Sequence, residues 1–124
     1  IRRSTVPVLG ISAGAPADYL APVVRELAEG VIAHIGIDRE IADDAVVVDD
    51  DYVGEEYGIP TVEMHEAVSM CARLEGLLLD PVYSGKAMAG LIGHIRAGRY
   101  RVSDSANDVI FIHTGGTPAL FAYR

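Results

Sequence analysis

The feature that most constrains the fold is the alternation of apolar, β-branched runs with segments of helical periodicity. Thr5 to Ile11 is such a run and is typical of a strand buried on both faces. After a turn at Ser12 to Pro16, apolar residues recur at the i, i+3, i+4 and i+7 spacing of an amphipathic helix. We expect Pro22 near the first turn of this helix, where a missing N–H costs least. The predicted apolar face consists of Leu20, Val23, Val24, Leu27, Ala28, Val31, Ile32 and Ile35.

The alternation continues to the end of the chain. It predicts a strand at 45–48, a helix over 62–75 capped by Thr61, a short extended run at 77–79, a helix over 86–97, a last buried strand at 109–112 and the start of a final helix. Strands that alternate with helices form right-handed βαβ units. The predicted fold class is therefore α/β: a three-layer, mostly parallel sheet with helices on both faces, in one unit over residues 1–124.

Composition excludes several classes of function. The net charge is −8, with only 10 Lys and Arg, which argues against a nucleic-acid partner. No apolar run approaches the roughly 20 residues of a membrane span, so we expect no membrane partner. The single cysteine, Cys71, excludes an internal disulfide and favours a cytoplasmic location; we expect it to be inert packing. We expect no metal: the histidines lack ligand spacing, and Asp49 to Asp51 is expected to be a solvated turn.

Three segments could carry chemistry. HTGGTP (113–118) and DPVYSGK (80–86) each lie between an apolar run and a helix start, where α/β sheets bind ligands. YGIPT (57–61) is a rigid turn that could hold a tyrosine over a pocket. Each has a structural alternative: Thr117 and Pro118 are ordinary helix-start residues, Ser84 could cap a helix with Tyr83 packed beside it, and the third segment could be a plain loop. His113 is expected to be a satisfied core histidine.

Two stretches, LLLDPVYSGKAMAGLI (77–92) and VIFIHTGGTPALFAYR (109–124), resemble the C-terminal end of the D-cysteine desulfhydrase/ACC deaminase family of pyridoxal-phosphate (PLP) enzymes, which includes L-cysteate sulfo-lyase. EEYGIPT and ARLEG fit in the same order, so the resemblance covers nearly the whole chain and is strongest from Tyr57 onward. It implies a fold of the tryptophan synthase β type, usually homodimeric, with this chain as the C-terminal part of the large PLP domain.

The resemblance also implies that the lysine forming the Schiff base with PLP, and the phosphate loop, lie upstream. Lys86, the only lysine, matches a YxGK segment at a helix start and is expected to be structural or near the site. The isolated chain is therefore expected to be inactive, and the resemblance implies that the full-length protein containing it is an enzyme.

By resemblance, Tyr57 and Tyr83 match two active-site tyrosines, and Ser84, Thr114 and Gly115 fall on cofactor-contacting positions. ACC deaminases have an acidic residue where Ser84 stands and HLGG where this chain has HTGG; a carboxylate beside the pyridine nitrogen strengthens the electron sink that cyclopropane opening requires. The chain departs from the pattern at Thr61, where relatives have Asn.

The leading hypothesis is a fragment of a carbon–sulfur lyase. It converts a small amino-acid substrate, D-cysteine, to pyruvate, hydrogen sulfide and ammonia by α,β-elimination. The alternatives are an L-cysteate sulfo-lyase that releases sulfite, then an ACC deaminase, or a catalytically silent half-fold that serves as a binding module.

Overall fold

The structure is a computed structural model that describes residues 6–100 and 108–123. The helices and strands within these ranges follow the predicted order. They are strand β1 (Leu9–Ile11), helix α1 (Ala17–His34), strand β2 (Val47–Asp49), helix α2 (Val62–Glu75), helix α3 (Ser84–Arg96) and a terminal 3-10 helix (Thr117–Phe121).

Strands β1 and β2 pair in parallel, with Leu9 opposite Val47 and Ile11 opposite Asp49. One further hydrogen bond, from the Ser12 N–H to the Asp49 carbonyl at 2.7 Å, extends the ladder past the end of β1. Helix α1 connects the two strands, and this β–α–β unit confirms the predicted parallel pairing. The carboxyl ends of β1 and β2 therefore lie at the same edge of the sheet.

The predicted bounds of the first two strands differ from those of β1 and β2. The first was expected to be buried on both faces along its length, but β1 is short, and Val6 and Val8 before it are 68% and 67% exposed. Thr5 lies outside the described residues. The second begins later than predicted and includes Asp49. The physical reason is that a strand extends only as far as its hydrogen-bonded neighbour, which sequence periodicity does not specify.

The predicted last strand is wrong within the described residues. Residues 109–112 form no hydrogen-bonded pairing with another strand among the described residues. Ile110 and Ile112 are 82% and 70% exposed. The extended run at 77–79 forms no strand either, although Leu79 is fully buried. Apolar, β-branched composition indicates a capacity for pairing, but a strand also needs an adjacent edge, and the only sheet in the part of the chain that the structure describes is β1–β2.

Helices α2 and α3 form the best-packed part of the molecule. The predicted bounds of α2 are confirmed: the Thr61 hydroxyl accepts from the Met64 N–H at 3.1 Å, and Gly76 ends the helix with a φ of 65°. Helix α3 begins at Ser84, two residues before the prediction. Among the residues that the structure describes, the buried apolar side chains are those of Met64, Ala67, Cys71, Leu79, Val82 and Ala89. Cys71 is packing, as predicted, and its burial raises the pKa of the thiol.

Helix α1 has the predicted amphipathic pattern, but none of its residues is buried in the described structure. Leu27 and Val31 on its apolar face are 65% and 59% exposed. Pro22 is the sixth residue of the helix, a turn further in than expected, and lies on an exposed position. Polar contacts hold α1 in place: Asp50 Oδ2 accepts from the Ala17 N–H at 2.7 Å, and Arg25 donates to the carbonyls of Ile41, Ala42 and Asp43.

The prediction of a solvated turn at the acidic run 49–51 is wrong for its first two residues. Asp49 Oδ2 lies 2.7 Å from His94 Nε2, and the two side chains are only 10% and 6% exposed. The two atoms are in close polar contact, although neither makes an aligned hydrogen bond within the described residues. Asp50 caps α1.

No helix in the described ranges has the length and apolar character to cross a bilayer.

Candidate functional site

Four loops meet at the edge of the sheet where the strands end. The first, Ser12 to Ala15, follows β1 and is closed on itself, because the Ser12 hydroxyl donates to the Ala15 carbonyl at 2.6 Å. The second follows β2 and contains Tyr57. The ring of Tyr57 packs against Gly14, where a Cβ atom would lie 2.6 Å from a ring carbon. Gly14 is therefore needed for the close approach of the first two loops.

The structure brings the two predicted tyrosines together. The phenol oxygens of Tyr57 and Tyr83 form a short hydrogen bond in which either can be the donor. The ring centroids are 5.9 Å apart and tilted by 59°. Both side chains are about half exposed, so the pair faces open space at the strand ends. The Tyr123 hydroxyl donates to the Gly58 carbonyl at 2.9 Å and so ties the Tyr57 loop to the end of the chain.

The phenol pair holds a proton firmly. The hydrogen bond from Tyr83, with smaller contributions from burial and nearby negative charge, raises the pKa of Tyr57 above its ordinary value. A phenol with a raised pKa stays protonated at neutral pH, so Tyr57 is suited to donating or positioning a proton rather than to acting as a phenolate base.

Asp80 organises the third loop, a role that was not predicted from the sequence. It is fully buried, and its Oδ2 accepts from the N–H groups of Val82 and Tyr83 at 2.8 and 2.7 Å. Its Oδ1 accepts from the Ser84 N–H at 2.8 Å and from the Ser84 hydroxyl at 2.6 Å. Burial alone raises the pKa of Asp80, but these hydrogen bonds from Ser84, Tyr83 and Val82 outweigh it and hold the pKa below its ordinary value. The sequence signal that could have identified this role was an Asp a few residues before a predicted helix start, because aspartate side chains accept from the free N–H groups there.

Ser84 is not the helix cap that the structural alternative suggested. It is the first residue of α3, only 1% exposed; Tyr83 is the N-cap residue, and the first N–H of the helix donates to Asp80. Its hydroxyl donates to Asp80 Oδ1 and accepts from the Asp80 N–H at 2.9 Å. The hydroxyl proton is therefore committed to a carboxylate, and a remaining lone pair of Oγ is what Ser84 can offer to a further group.

The fourth loop, HTGG, lies against Asp80. A Cβ atom on Gly116 would lie 2.6 Å from Asp80 Oδ1, so the backbone passes directly over the carboxylate. His113, half-buried rather than a core histidine, accepts from the Gly115 N–H at 3.0 Å, and its Nε2 lies 3.3 Å from the Leu78 carbonyl. The Gly115 N–H is thus used within its own loop. Thr114 is exposed at this edge.

The end of this loop also differs from the prediction. The structural alternative for this segment had Thr117 as the N-cap of a final helix, but Gly116 occupies that position, and no side chain of the described residues caps the 3-10 helix. The Thr117 hydroxyl instead donates to the Leu78 carbonyl at 3.4 Å.

Lys86 is structural, as expected, because its side chain is fully buried and makes three hydrogen bonds to the backbone. Burial lowers the pKa of its ammonium.

Residues 2–115 match the sequence profile of the pyridoxal-phosphate dependent enzymes. The chain belongs to this family. Its curated relatives include the 1-aminocyclopropane-1-carboxylate (ACC) deaminase of Burkholderia cenocepacia, 40% identical over 117 residues, which are 94% of this chain and 34% of the relative. The enzyme of the same name from Variovorax paradoxus is 43% identical over 117 residues, with 94% and 33% covered. The chain therefore spans about a third of the length of these relatives.

The fold agrees with this family assignment. A crystal structure described as an ACC deaminase homologue superimposes with a TM-score of 0.80 at 30% identity, covering 95% of this chain and 34% of the other. The predicted fold class, a parallel sheet with helices from a PLP enzyme, and the predicted cofactor are confirmed.

The described residues fit PLP in part. The exposed edge formed by Tyr57, Tyr83 and Thr114 can contact a flat heterocycle and its substrate. The only lysine is buried against carbonyls, so covalent attachment has no candidate in this chain. A phosphate would find the Gly115 N–H already used. The described residues can therefore contact PLP on one side, without covalent attachment.

Proposed function

We propose that the chain is the C-terminal part of the large domain of a cytoplasmic, homodimeric PLP lyase that performs α,β-elimination on a cysteine-like amino acid, with D-cysteine as the leading substrate. PLP supplies the electron sink for loss of the α-proton and the β-substituent. The lysine and the phosphate loop are proposed to lie in the preceding part of the protein.

The observation that carries the choice of substrate is Ser84. A neutral hydroxyl, not a carboxylate, begins α3 beside the tyrosine pair. A hydroxyl has no negative charge of its own to stabilise a proton on the ring nitrogen of the cofactor, so it supports a weaker electron sink than a carboxylate does. The weaker sink is adequate for expelling a good leaving group such as thiolate. Ring opening of ACC has no such leaving group and requires the stronger sink.

The tyrosine pair is proposed to handle the proton. Tyr57 and Tyr83 share one hydrogen bond, which raises the pKa of Tyr57 and keeps this phenol protonated at the open edge. Donation of that proton to the departing thiolate would neutralise it, and the partner phenol would hold the donor in position.

ACC deamination is the second candidate, and one contact favours it. The Ser84 hydroxyl donates to the buried carboxylate of Asp80 at 2.6 Å, so an acidic group lies one hydrogen bond behind the position where ACC deaminases have a carboxylate. The relatives named above are ACC deaminases. L-Cysteate elimination, with sulfite as the leaving group, and a silent binding module remain alternatives.

The test is to assay the longer protein that contains this chain, purified with PLP, for pyruvate from D-cysteine and L-cysteate and for 2-oxobutyrate from ACC. D-Cysteine is expected to give the highest kcat/KM. Turnover of ACC alone would overturn the use of Ser84 to choose the substrate, and a protein that binds PLP without turning over any of the three would support the silent module.

The variant Tyr83→Phe tests the proton-handling role of the tyrosine pair independently of which substrate the enzyme uses. It should lower kcat by about 10²-fold or more, as expected when the phenol pair that handles the proton is broken. Tyr19→Phe is the matched control, because Tyr19 is a 65% exposed tyrosine on α1, and it should leave kcat unchanged. Equal effects of the two changes would exclude a proton-handling role.

A further inference from the structure

The ammonium of Lys86 lies in a cage of backbone carbonyls. Nζ donates to the Val53 carbonyl at 2.6 Å, to the Ala13 carbonyl at 3.2 Å and to the Glu56 carbonyl at 3.3 Å. Ala13 belongs to the loop after β1, whereas Val53 and Glu56 belong to the loop after β2. One side chain on α3 therefore joins both strand-end loops.

The cage suits a cation rather than a neutral amine. Three carbonyl acceptors need three N–H donors, and only the charged ammonium has three. None of the ion pairs among residues 6–100 and 108–123 includes Lys86, so its charge is balanced by carbonyl dipoles. Backbone carbonyls that converge on one point are the ligands that proteins use for potassium, and ammonium is similar to potassium in size.

We propose that these three carbonyls form a monovalent-cation site and that the Lys86 ammonium is its built-in occupant. The side chain acts as a tethered cation that draws the two loops together. Removing the ammonium while leaving its space open should therefore convert this chain into one that binds a free potassium or ammonium ion.

The site also makes Lys86 a positioning residue for Tyr57, and this second step rests on the proposed function. Glu56, whose carbonyl Lys86 binds, directly precedes Tyr57 in the chain. The Tyr57 ring packs on Gly14, and Gly14 follows Ala13, the residue of the other bound carbonyl. Both sides of this contact are fixed by the same ammonium.

Two variants of the cofactor-loaded, longer protein test the proposal. Lys86→Ala removes the ammonium and leaves room for an ion. Lys86→Met removes the charge but keeps a side chain of similar length in the space, so it is the matched control. Thermal melting is recorded in KCl, NH4Cl, LiCl and tetramethylammonium chloride at equal ionic strength, which separates ion binding from general screening.

We expect Lys86→Ala to lower the melting temperature by at least about 4 °C in tetramethylammonium chloride. KCl and NH4Cl should recover more than half of that loss, and LiCl should recover little. Lys86→Met should show no cation selectivity, and the wild type should not respond. A Lys86→Ala protein that no cation rescues, whether it folds or fails to fold, would overturn the cation site.

Enzyme kinetics test the positioning step separately. In Lys86→Ala, kcat should fall in tetramethylammonium chloride and recover with potassium, and Tyr57→Phe should remove this cation dependence. If melting is rescued but kcat is insensitive to potassium, the cation site stands and the link to Tyr57 is wrong. If the wild type turns over no substrate, melting still decides the cation site.

Discussion

The two helical regions of this chain satisfy their polar and apolar groups in opposite ways. The α2–α3 region buries six apolar side chains together with four polar ones, those of Asp80, Ser84, Lys86 and His94. The first three have hydrogen-bond partners within the described chain, and His94 lies against Asp49. Helix α1 has an equally clear amphipathic pattern but no buried residue, and polar contacts through Asp50 and Arg25 hold it in place.

This difference shows which part of the fold supports the candidate site. Its tyrosines and the HTGG loop are arranged around the buried polar side chains at the start of α3, whereas α1 contributes no residue to it. Buried polar groups that are fully hydrogen-bonded fix one arrangement, since any other would leave a charged group unpaired. Five predictions, in decreasing order of effect, test this contrast.

The largest effect is expected from truncating an apolar side chain in each region. Met64→Ala, at a side chain only 3% exposed, should lower the free energy of unfolding by about 2–5 kcal/mol, because it removes buried contacts and leaves a cavity. Leu27→Ala, on the exposed face of α1, should change it by less than about 0.5 kcal/mol. Urea unfolding of the 124-residue chain compares the two. A large cost for Leu27→Ala would mean that the α1 face is covered in solution, by a second copy for example.

The next test concerns the two capping aspartates. Asp80→Asn should cost about 1–3 kcal/mol, because an amide group would face N–H donors that the carboxylate now accepts. Asp50→Asn, which affects one hydrogen bond at the start of α1, should cost about 0.5–1 kcal/mol. Equal losses would remove the distinction between the two regions.

Lowering the pH tests the contribution of the Asp80 carboxylate directly. The pKa of Asp80 is depressed in the folded chain, so its stabilisation is complete above the ordinary pKa of 3.8 and is lost as the pH falls from there through the lower, folded value. The stability difference between wild type and Asp80→Asn should therefore shrink in that range. A difference that is constant with pH would show that the Asp80 charge is not what the hydrogen bonds stabilise.

A smaller effect is expected at the HTGG loop. Gly115 and Gly116 both have positive φ, at 101° and 90°, so alanine at either position costs about 1–2 kcal/mol of backbone strain. Only at Gly116 would the new Cβ also meet Asp80, since nothing lies within 4 Å at Gly115. Gly116→Ala should thus be the more destabilising change in thermal melts. The reverse order would place the loop away from Asp80.

The smallest effect is expected at the surface. Arg96 on α3 donates to both carboxylate oxygens of Glu66 on α2, at 2.9 and 2.7 Å, and this lowers the pKa of Glu66. Because both side chains are exposed, Glu66→Gln should lower the melting temperature slightly at low salt and not at all at high salt. A loss that persists at high salt would show that the pair contributes to packing between α2 and α3.

The sequence predicted the helices better than the strands. Helix α2 was right at both ends because its signals, Thr61 before the helix and Gly76 after it, act within a few residues of chain. Residues 109–112 have strand composition but no partner strand in the described structure. Pairing depends on a distant edge, which local composition does not specify.

For the candidate site, the sequence supplied the residues and the tertiary structure supplied their relations. The motifs around Tyr57, Tyr83 and HTGG were sufficient to indicate the family, because side-chain chemistry at fixed spacing is a property of the chain itself. That the two phenols touch, that Asp80 lies beneath both Ser84 and Gly116, and that Lys86 binds two separate loops were decided only on folding. These contacts join residues distant in sequence, and burial, which gives each polar contact its weight, exists only in the packed chain.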